Sequence, residues 1–175
     1  MQNSNSSTSP KNPFAELRHK IAKKEHVCQP IAEIMTKSVI TIAATGSLKE
    51  ALHIFREHNI RHVIVVDTHS APKAVFSKRD LLVLQSAQSL GPLMEQTVLS
   101  RATQNPIIVA MDTCTRVAAQ YMIENKIGCL PIVLNSSENS PLVGIVTESD
   151  FVQAYASSVQ CACGMQQNTD GENSG

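Results

Sequence analysis

Two copies of a short motif place a hydroxyl and a carboxylate together at the start of a predicted helix. In the sequences AVFSKRD and GIVTESD, an apolar strand leads into Ser77 or Thr147, and Asp80 or Asp150 follows three residues later. Free amides and a hydroxyl at such a junction suit a phosphate, and the carboxylate can accept hydrogen bonds from both hydroxyls of a ribose. The same residues also fit a capping box, which needs no ligand. One copy alone favours the cap, whereas two copies in matched settings favour a nucleotide site.

The elements that must position these motifs are predicted as one strand-and-helix unit that occurs twice. The first unit has a strand at 39–42, a helix capped by Ser47, a buried strand within 60–67, a strand at 74–76 and a helix from 78 to about 87. The second has a strand at 107–109, a helix capped by Thr113 or Thr115, strands at 127–133 and 143–146, and a helix at 148–157. The offset between matching positions is 67, growing to 70 after the longer second turn, which indicates an internal duplication.

Composition predicts a globular chain with an aliphatic core. Of the 175 residues, 42% are apolar and only 3% are aromatic, so the chain can bury one sizeable core or two small ones. Thirteen basic and eight acidic residues precede Asp112, while two basic and seven acidic residues follow from it, so the two halves should attract each other. The absence of Trp and the presence of only two Tyr argue against a nucleic-acid surface, which needs stacking aromatics.

The ends of the chain and its cysteines indicate a cytoplasmic protein. No apolar run approaches the ~18 residues of a membrane span, and the polar start does not resemble a signal peptide. Five irregularly spaced cysteines suit reduced thiols better than disulfides. Cys161 and Cys163 lack a second pair nearby, so we predict no metal site.

Four regions are expected along the chain. Residues 1–28 form a polar tail with a short basic amphipathic helix, in which Phe14, Leu17 and Ile21 recur at helical spacing. Residues 29–90 and 91–157 form the two repeated modules, with the break at Gly91-Pro92, and residues 158–175 form a disordered tail.

Several further segments resemble the tandem cystathionine-β-synthase-type (CBS) domain pair over about residues 29–157. They are IMT at 34–36, IRHVIVVD at 60–67, LPIV at 130–133 and, above all, the motif at 144–150. The resemblance implies an α+β fold of two β-α-β-β-α modules, packed sheet to sheet about a pseudo-two-fold axis. It also implies two clefts between the modules, of a kind that commonly binds adenine nucleotides.

The resemblance assigns roles to the two motifs residue by residue. Asp80 and Asp150 match the ribose-binding position of the family, and Ser77 and Thr147 match the hydroxyl that approaches phosphate. The second motif keeps the usual glycine of the family at Gly144. The first motif has Ala74 there instead, and its methyl group is expected to crowd the backbone approach of a ligand.

Cations near the motifs are candidates for phosphate contact. Arg61 and His62 match family positions that reach the cleft whose ribose is held by the other module, so they are assigned to the Asp150 cleft. Gly128 occupies the equivalent position in the second module and carries no charge, so the Asp150 cleft is expected to be the better equipped one. Arg61 and His62 also fit a simple position at the rim of a buried strand.

Two further cations flank the carboxylate of the first motif. Lys78 and Arg79 stand beside Asp80 in the sequence and can neutralise phosphate in the first cleft. Solvated charges are the alternative interpretation.

The sequence contains no recognisable catalytic motif, so we predict a regulatory module without enzymatic activity. An adenine nucleotide (AMP, ADP or ATP) is the expected ligand, with S-adenosylmethionine as an alternative that shares the adenosine, and the regulated protein is unidentified. A homodimer is also expected. Its candidate contact residues are Leu81, Leu82, Leu84, Phe151 and Val152. The alternative function is a ligand-free scaffold for dimerisation or protein interaction.

Overall fold

The computed structural model describes residues 29–85, 90–137 and 139–158. The predicted basic helix before residue 28 and the cysteines at 161 and 163 lie outside the described residues. The expected C-terminal tail lies outside them as well, except for Ser158, which ends the last helix.

The first module follows the predicted β-α-β-β-α order. A 3-10 turn at Ile31–Glu33 precedes its elements, which are β1 (Thr41–Ala43), α1 (Leu48–His58), β2 (His62–Val66), β3 (Pro72–Ser77) and α2 (Lys78–Gln85). Helix α1 begins where expected, because the Ser47 hydroxyl accepts a hydrogen bond from the Glu50 N–H at 3.1 Å. It ends at Asn59, which adopts a left-handed conformation with φ 49°.

The second module repeats this order after a connection with its own short elements. The connection contains α3 (Leu90–Met94), a 3-10 turn (Val98–Ser100) and β4 (Thr103–Gln104). The module itself contains β5 (Val109–Ala110), α4 (Thr115–Asn125), β6 (Cys129–Val133), β7 (Leu142–Thr147) and α5 (Glu148–Ser158). Among the described residues, no helix is long and apolar enough to cross a membrane.

One local prediction about the second module is wrong. No side chain caps α4 at its N-cap residue Cys114; instead, the backbone carbonyl of Gln29 accepts the Thr115 N–H at 2.9 Å. Pro131 lies at the third position of β6. Its missing N–H is tolerated beside β5 because β5 pairs with β6 only from Ile132 onward.

The strands form two sheets, with the orders β1-β2-β3-β4 and β5-β6-β7. In each sheet the first pair of the repeat is parallel and the second pair is antiparallel, and the register shifts at matching places, Val65/Val66 and Ile132/Val133. The sheets face each other through a small buried cluster centred on Ile64, Cys129 and Ile145. This packing confirms the predicted fold of two modules joined through their sheets.

The segments that precede the two modules are exchanged between them. Thr36, ahead of β1, bridges Ile145 of the second module, and Thr103, ahead of β5, pairs with Val75 of the first module. The neighbouring residue Ile31 is fully buried in the core of the second module. The module boundaries at 90 and 91 stay a prediction. Because of the exchange, residues on one side of this boundary pack against the module on the other side.

Candidate functional site

Asp150 is held by its own capping motif and also contacts the other module. One carboxylate oxygen, Oδ2, accepts the Thr147 N–H at 2.6 Å and the Thr147 hydroxyl at 2.7 Å. The other oxygen, Oδ1, accepts the Thr36 hydroxyl at 3.3 Å. The cap therefore orients the carboxylate through Oδ2, while Oδ1 contacts Thr36 instead of the helix terminus.

Asp80 forms the equivalent cap in the first module. Its Oδ2 accepts the Ser77 N–H at 2.8 Å and the Ser77 hydroxyl at 2.6 Å, and its own N–H donates to Ser77 Oγ at 3.2 Å. Both interpretations of the motif therefore share one geometry, since the bonds that cap the helix also position the carboxylate.

A cavity of about 230 Å³ lies beside Asp150, between the two modules. Apolar side chains from both modules line it, together with the hydroxyls of Thr36, Ser38 and Thr147. The apolar lining residues are Val39, Ile40, Ile60 and Ile145. We call this cavity the Asp150 cleft.

A second cavity of about 420 Å³ lies beside Asp80 and is built from the equivalent parts of the repeat. Thr103 and Ile107 occupy the places of Thr36 and Ile40, and Ile127 occupies that of Ile60. Its other lining residues include Val75, Ser77, Arg79, Asn105, Pro106, Lys126, Gly128 and Cys129. We call this cavity the Asp80 cleft.

Arg61 lies at the Asp150 cleft, as the sequence predicts. Its Nη2 donates to Ser149 Oγ at 2.8 Å, so the side chain crosses from the first module to the first turn of α5. Arg61 is exposed, and its other N–H groups can meet a ligand.

His62 lies between the clefts rather than in one of them. It lines both cavities, and its ring is 3.2 Å from the place a Cβ of residue 128 would take. Burial, followed by the neighbouring Arg61 charge, lowers the pKa of His62 below its usual 6.5. At neutral pH the ring is therefore mainly uncharged in this structure, unlike the cation assumed from the sequence.

A family model described as the CBS domain matches residues 31–86 and 99–157. The chain belongs to the CBS domain family. The two matches coincide with the two modules, so the protein is a tandem CBS pair, as the sequence motifs predict.

Three similar proteins illustrate the relationship. An uncharacterized protein from Methanopyrus kandleri is 30% identical over 124 residues, which cover 70% of this chain and 61% of that protein. The structure of CBSX2 in complex with AMP is 25% identical with a TM-score of 0.63, and the match covers 73% of this chain and 96% of that one. A CBS domain pair in complex with 5′-methylthioadenosine and S-adenosyl-L-methionine is 26% identical with a TM-score of 0.61, and the match covers 73% and 99%. The chain spans 29% to 61% of the length of three uncharacterized relatives that it matches.

Gly144 and Ala74, which distinguish the two motifs, contact core side chains of the CBS pair rather than its clefts. A Cβ at Gly144 would lie 2.4 Å from Met35 Sδ, so Gly144 makes room for a core side chain. Ala74 is fully buried in the core of the first module. The expectation that Ala74 crowds a ligand is wrong, because alternate residues of a strand point to opposite faces and its methyl group points into the core.

The flanking cations of the first motif differ in position. Arg79 lines the Asp80 cleft, whereas Lys78 is not among its lining residues. The Lys78 backbone N–H instead donates to the Arg61 carbonyl at 3.0 Å, which ties the start of α2 to the start of β2.

Sequence reasoning missed the contact of Thr36 with Asp150. The two residues are 114 positions apart, so no local pattern connects them. One signal was available in the repeat itself, since Thr103 stands at the same offset of 67 from Thr36 as the other matched residues.

Proposed function

We propose that this CBS pair binds an adenosine-containing nucleotide of the AMP, ADP or ATP type, primarily in the Asp150 cleft. Binding changes how the pair meets a regulated partner and involves no catalysis. CBS pairs are in general regulatory modules. A regulatory effect requires that the ligand binds one arrangement of the two modules more tightly than another.

The observation that carries the proposal is the divided role of the Asp150 carboxylate. Its Oδ2 is saturated by the two bonds from Thr147, and its Oδ1 has one long bond from the exposed Thr36 hydroxyl. An ionised carboxylate oxygen has lone pairs for further donors, so Oδ1 can accept a ribose hydroxyl without disrupting the cap.

The walls of the Asp150 cleft suit the two ends of a nucleotide. Val39, Ile40 and Ile145 offer apolar surface for a planar base. At the other end, the remaining N–H groups of Arg61 can donate to a phosphate, whereas the Thr147 hydroxyl already donates its proton to Asp150. The enclosed volume of about 230 Å³ is below the ~300–1,000 Å³ of drug-sized sites, so we expect the phosphate at the open rim near Arg61.

Known relatives support adenosine as the recognised part. CBSX2 was solved with AMP, and another CBS pair was solved with 5′-methylthioadenosine and S-adenosyl-L-methionine. All three ligands contain adenosine, while only AMP contains a phosphate. The position of Arg61 favours the phosphate-bearing class for this chain, with S-adenosylmethionine as the alternative.

Calorimetry and thermal shift with ligand-free protein test this proposal. We expect AMP, ADP or ATP to bind in the micromolar range, and a ligand at 100 times its Kd to stabilise the fold by about 2.7 kcal/mol. Protein verified as nucleotide-free that shows neither heat nor stabilisation at millimolar nucleotide or S-adenosylmethionine would leave the scaffold function in its place.

Exposed apolar side chains on the helices support a homodimer, either as the signalling state or as the scaffold function. Leu82 is 65% exposed, Val152 68% and Tyr155 71%, so α2 and α5 present surface suited to a partner helix. Of the predicted contact residues, Leu81 is wrong, because it is only 5% exposed and packs in the core. Leu84 and Phe151 are half-buried.

Sedimentation velocity tests the dimer. We expect a species of twice the 19.0 kDa chain mass at tens of micromolar, and its conversion to monomer by Leu82→Ser with Val152→Ser. A monomer with and without nucleotide would contradict the dimer but leave nucleotide binding intact. Cytoplasmic action, expected from the reduced cysteines, remains part of the proposal, and cell fractionation would test it.

A further inference from the structure

The second module supplies no cation to the Asp80 cleft at the positions from which the first module serves the Asp150 cleft. Gly128 and Cys129 stand where the repeat has Arg61 and His62. Burial raises the pKa of the Cys129 thiol to about 12, so this residue carries no charge near neutral pH. The wall of the Asp80 cleft therefore has an uncharged gap.

His62 of the first module lies against this gap. Its Nε2 and Cε1 atoms are 3.2 and 3.3 Å from the position that a Cβ of residue 128 would take, and no other neighbour lies within 4 Å of that position. A methyl group at residue 128 would make a tight contact with the ring, which would have to shift by a few tenths of an ångström. The ring thus reaches the Asp80 cleft while His62 still lines the Asp150 cleft.

We propose that His62 is a shared binding residue of the two clefts, and that phosphate-bearing ligands in the two clefts compete for its single ring. This inference rests on the proposed nucleotide function. A ligand in either cleft draws the ring toward its phosphate, and the ligand in the other cleft then binds without that contact. The two sites of one chain should therefore show negative coupling.

The surroundings of His62 connect this competition to proton binding. Arg61 and Arg79 disfavour a charged ring, whereas Glu148 and Asp80 favour it, and burial disfavours it most. Lys126 lines the same cleft, and Asp150 lines the other one. A bound phosphate adds negative charge beside a ring that is mainly neutral, so binding should take up a proton.

The ligand for the test is the methyl ester of AMP. Its phosphodiester keeps one negative charge between pH 5.5 and 8.5, whereas the phosphate of AMP itself titrates near pH 6. Adenosine is the matched ligand without phosphate. Asp80→Ala and Asp150→Ala each leave one cleft with its carboxylate, so they report the intrinsic affinity of the remaining cleft.

Titration calorimetry of the full chain gives the coupling. In the wild-type protein, the second ligand should bind with an affinity at least threefold lower than the intrinsic affinity of the same cleft, as measured in the aspartate variant that retains that cleft. In His62→Gln this difference should vanish. A single site per chain, two independent sites, a tighter second constant, or a difference that persists in folded His62→Gln overturns the proposal.

The same titrations in buffers of different ionisation enthalpy count the protons. We expect net proton uptake with the methyl ester and none with adenosine, and a three- to tenfold gain in affinity from pH 8 to pH 6 that His62→Gln abolishes. His69→Gln, an exposed turn histidine, is the matched control and should behave as wild type.

A second variant covers the case in which His62→Gln does not fold. In Gly128→Ala, the added methyl group presses on the ring from the side of the Asp80 cleft and shifts it by a few tenths of an ångström, so the coupling should fall while binding at the Asp150 cleft persists. Unchanged coupling in this variant counts against the proposal. If no adenosine ligand binds at all, the nucleotide function itself fails; if ligands bind without coupling or proton uptake, only the role of His62 fails.

Discussion

The Asp150 and Asp80 clefts are built from matching parts of one duplicated unit, yet only one carboxylate is bonded by the opposite module. Asp150 accepts a hydrogen bond from Thr36, and Arg61 closes the same region through Ser149. Among the described residues, Asp80 has no equivalent bond from Thr103, although Thr103 lines its cleft. The duplication therefore conserved the cap in both modules, while contacts made across the interface distinguish the two sites.

The largest expected effect comes from removing the two carboxylates in turn. Asp150→Ala should weaken AMP binding by ten- to a hundredfold, because a charged acceptor for the ribose is worth about 1.5–3 kcal/mol. Asp80→Ala should weaken binding less. If calorimetry showed that Asp80→Ala abolishes binding while Asp150→Ala retains it, the Asp80 cleft would be the main site. Arg79 would then be the cation that contacts the phosphate.

The two variants control for each other in stability. Each aspartate side chain makes the same two bonds to the residue that precedes its helix, so each replacement removes the same pair of capping bonds. We expect the free energy of unfolding to fall by about 0.5–2 kcal/mol in both. A much larger loss in one variant would mean that its affinity change reports folding rather than ligand contact.

The next effect tests the packing of Gly144 against Met35 in the second module. Gly144→Ala should lower the free energy of unfolding by about 1–3 kcal/mol, because the new methyl group overlaps Met35. Shortening Met35 to Ala in the same protein should relieve the overlap, so the double variant should lose less than the sum of the two single changes. Additive losses in chemical denaturation would show that Met35 is not the obstacle.

A smaller effect separates the two threonines. Thr36→Val removes the hydroxyl that donates to Asp150 Oδ1 and should weaken AMP binding by about two- to tenfold, the value of one hydrogen bond of ~0.5–1.5 kcal/mol. Thr103→Val should change affinity by less than about twofold, since its hydroxyl makes no such bond among the described residues. Equal losses of affinity in both variants would show that the bond from Thr36 to Asp150 does not distinguish the two clefts.

The smallest effect is the pH dependence of stability without ligand. The pKa of His62 is lowered in the folded state, so the unfolded chain binds more protons as the pH falls below 6.5. The free energy of unfolding should therefore decrease with falling pH from about 7, and His62→Gln should reduce that decrease. Denaturant titrations at several pH values provide the measurement, and an identical pH profile in the variant would contradict the assignment.

Local patterns predicted most of the fold. The predicted Ser47 cap located the start of α1, and the apolar runs located the strands of both modules. These features depend on residues within a few positions of each other, so propensity and periodicity are sufficient to recognise them. The duplication then doubled the evidence for each element.

The sequence by itself determined the order of elements, the two caps and the candidate carboxylates. Tertiary structure alone decided which hydrogen bonds form between distant residues at the Asp150 cleft, because Thr36 contacts Asp150 across 114 positions and Arg61 contacts Ser149 across 88. The tertiary structure also places the Gln29 carbonyl at the start of α4, where it accepts the Thr115 N–H. It buries the side chains of Ala74 and Leu81 in the core of the first module. Such contacts depend on how two sheets pack and exchange segments, and no local spacing encodes that geometry.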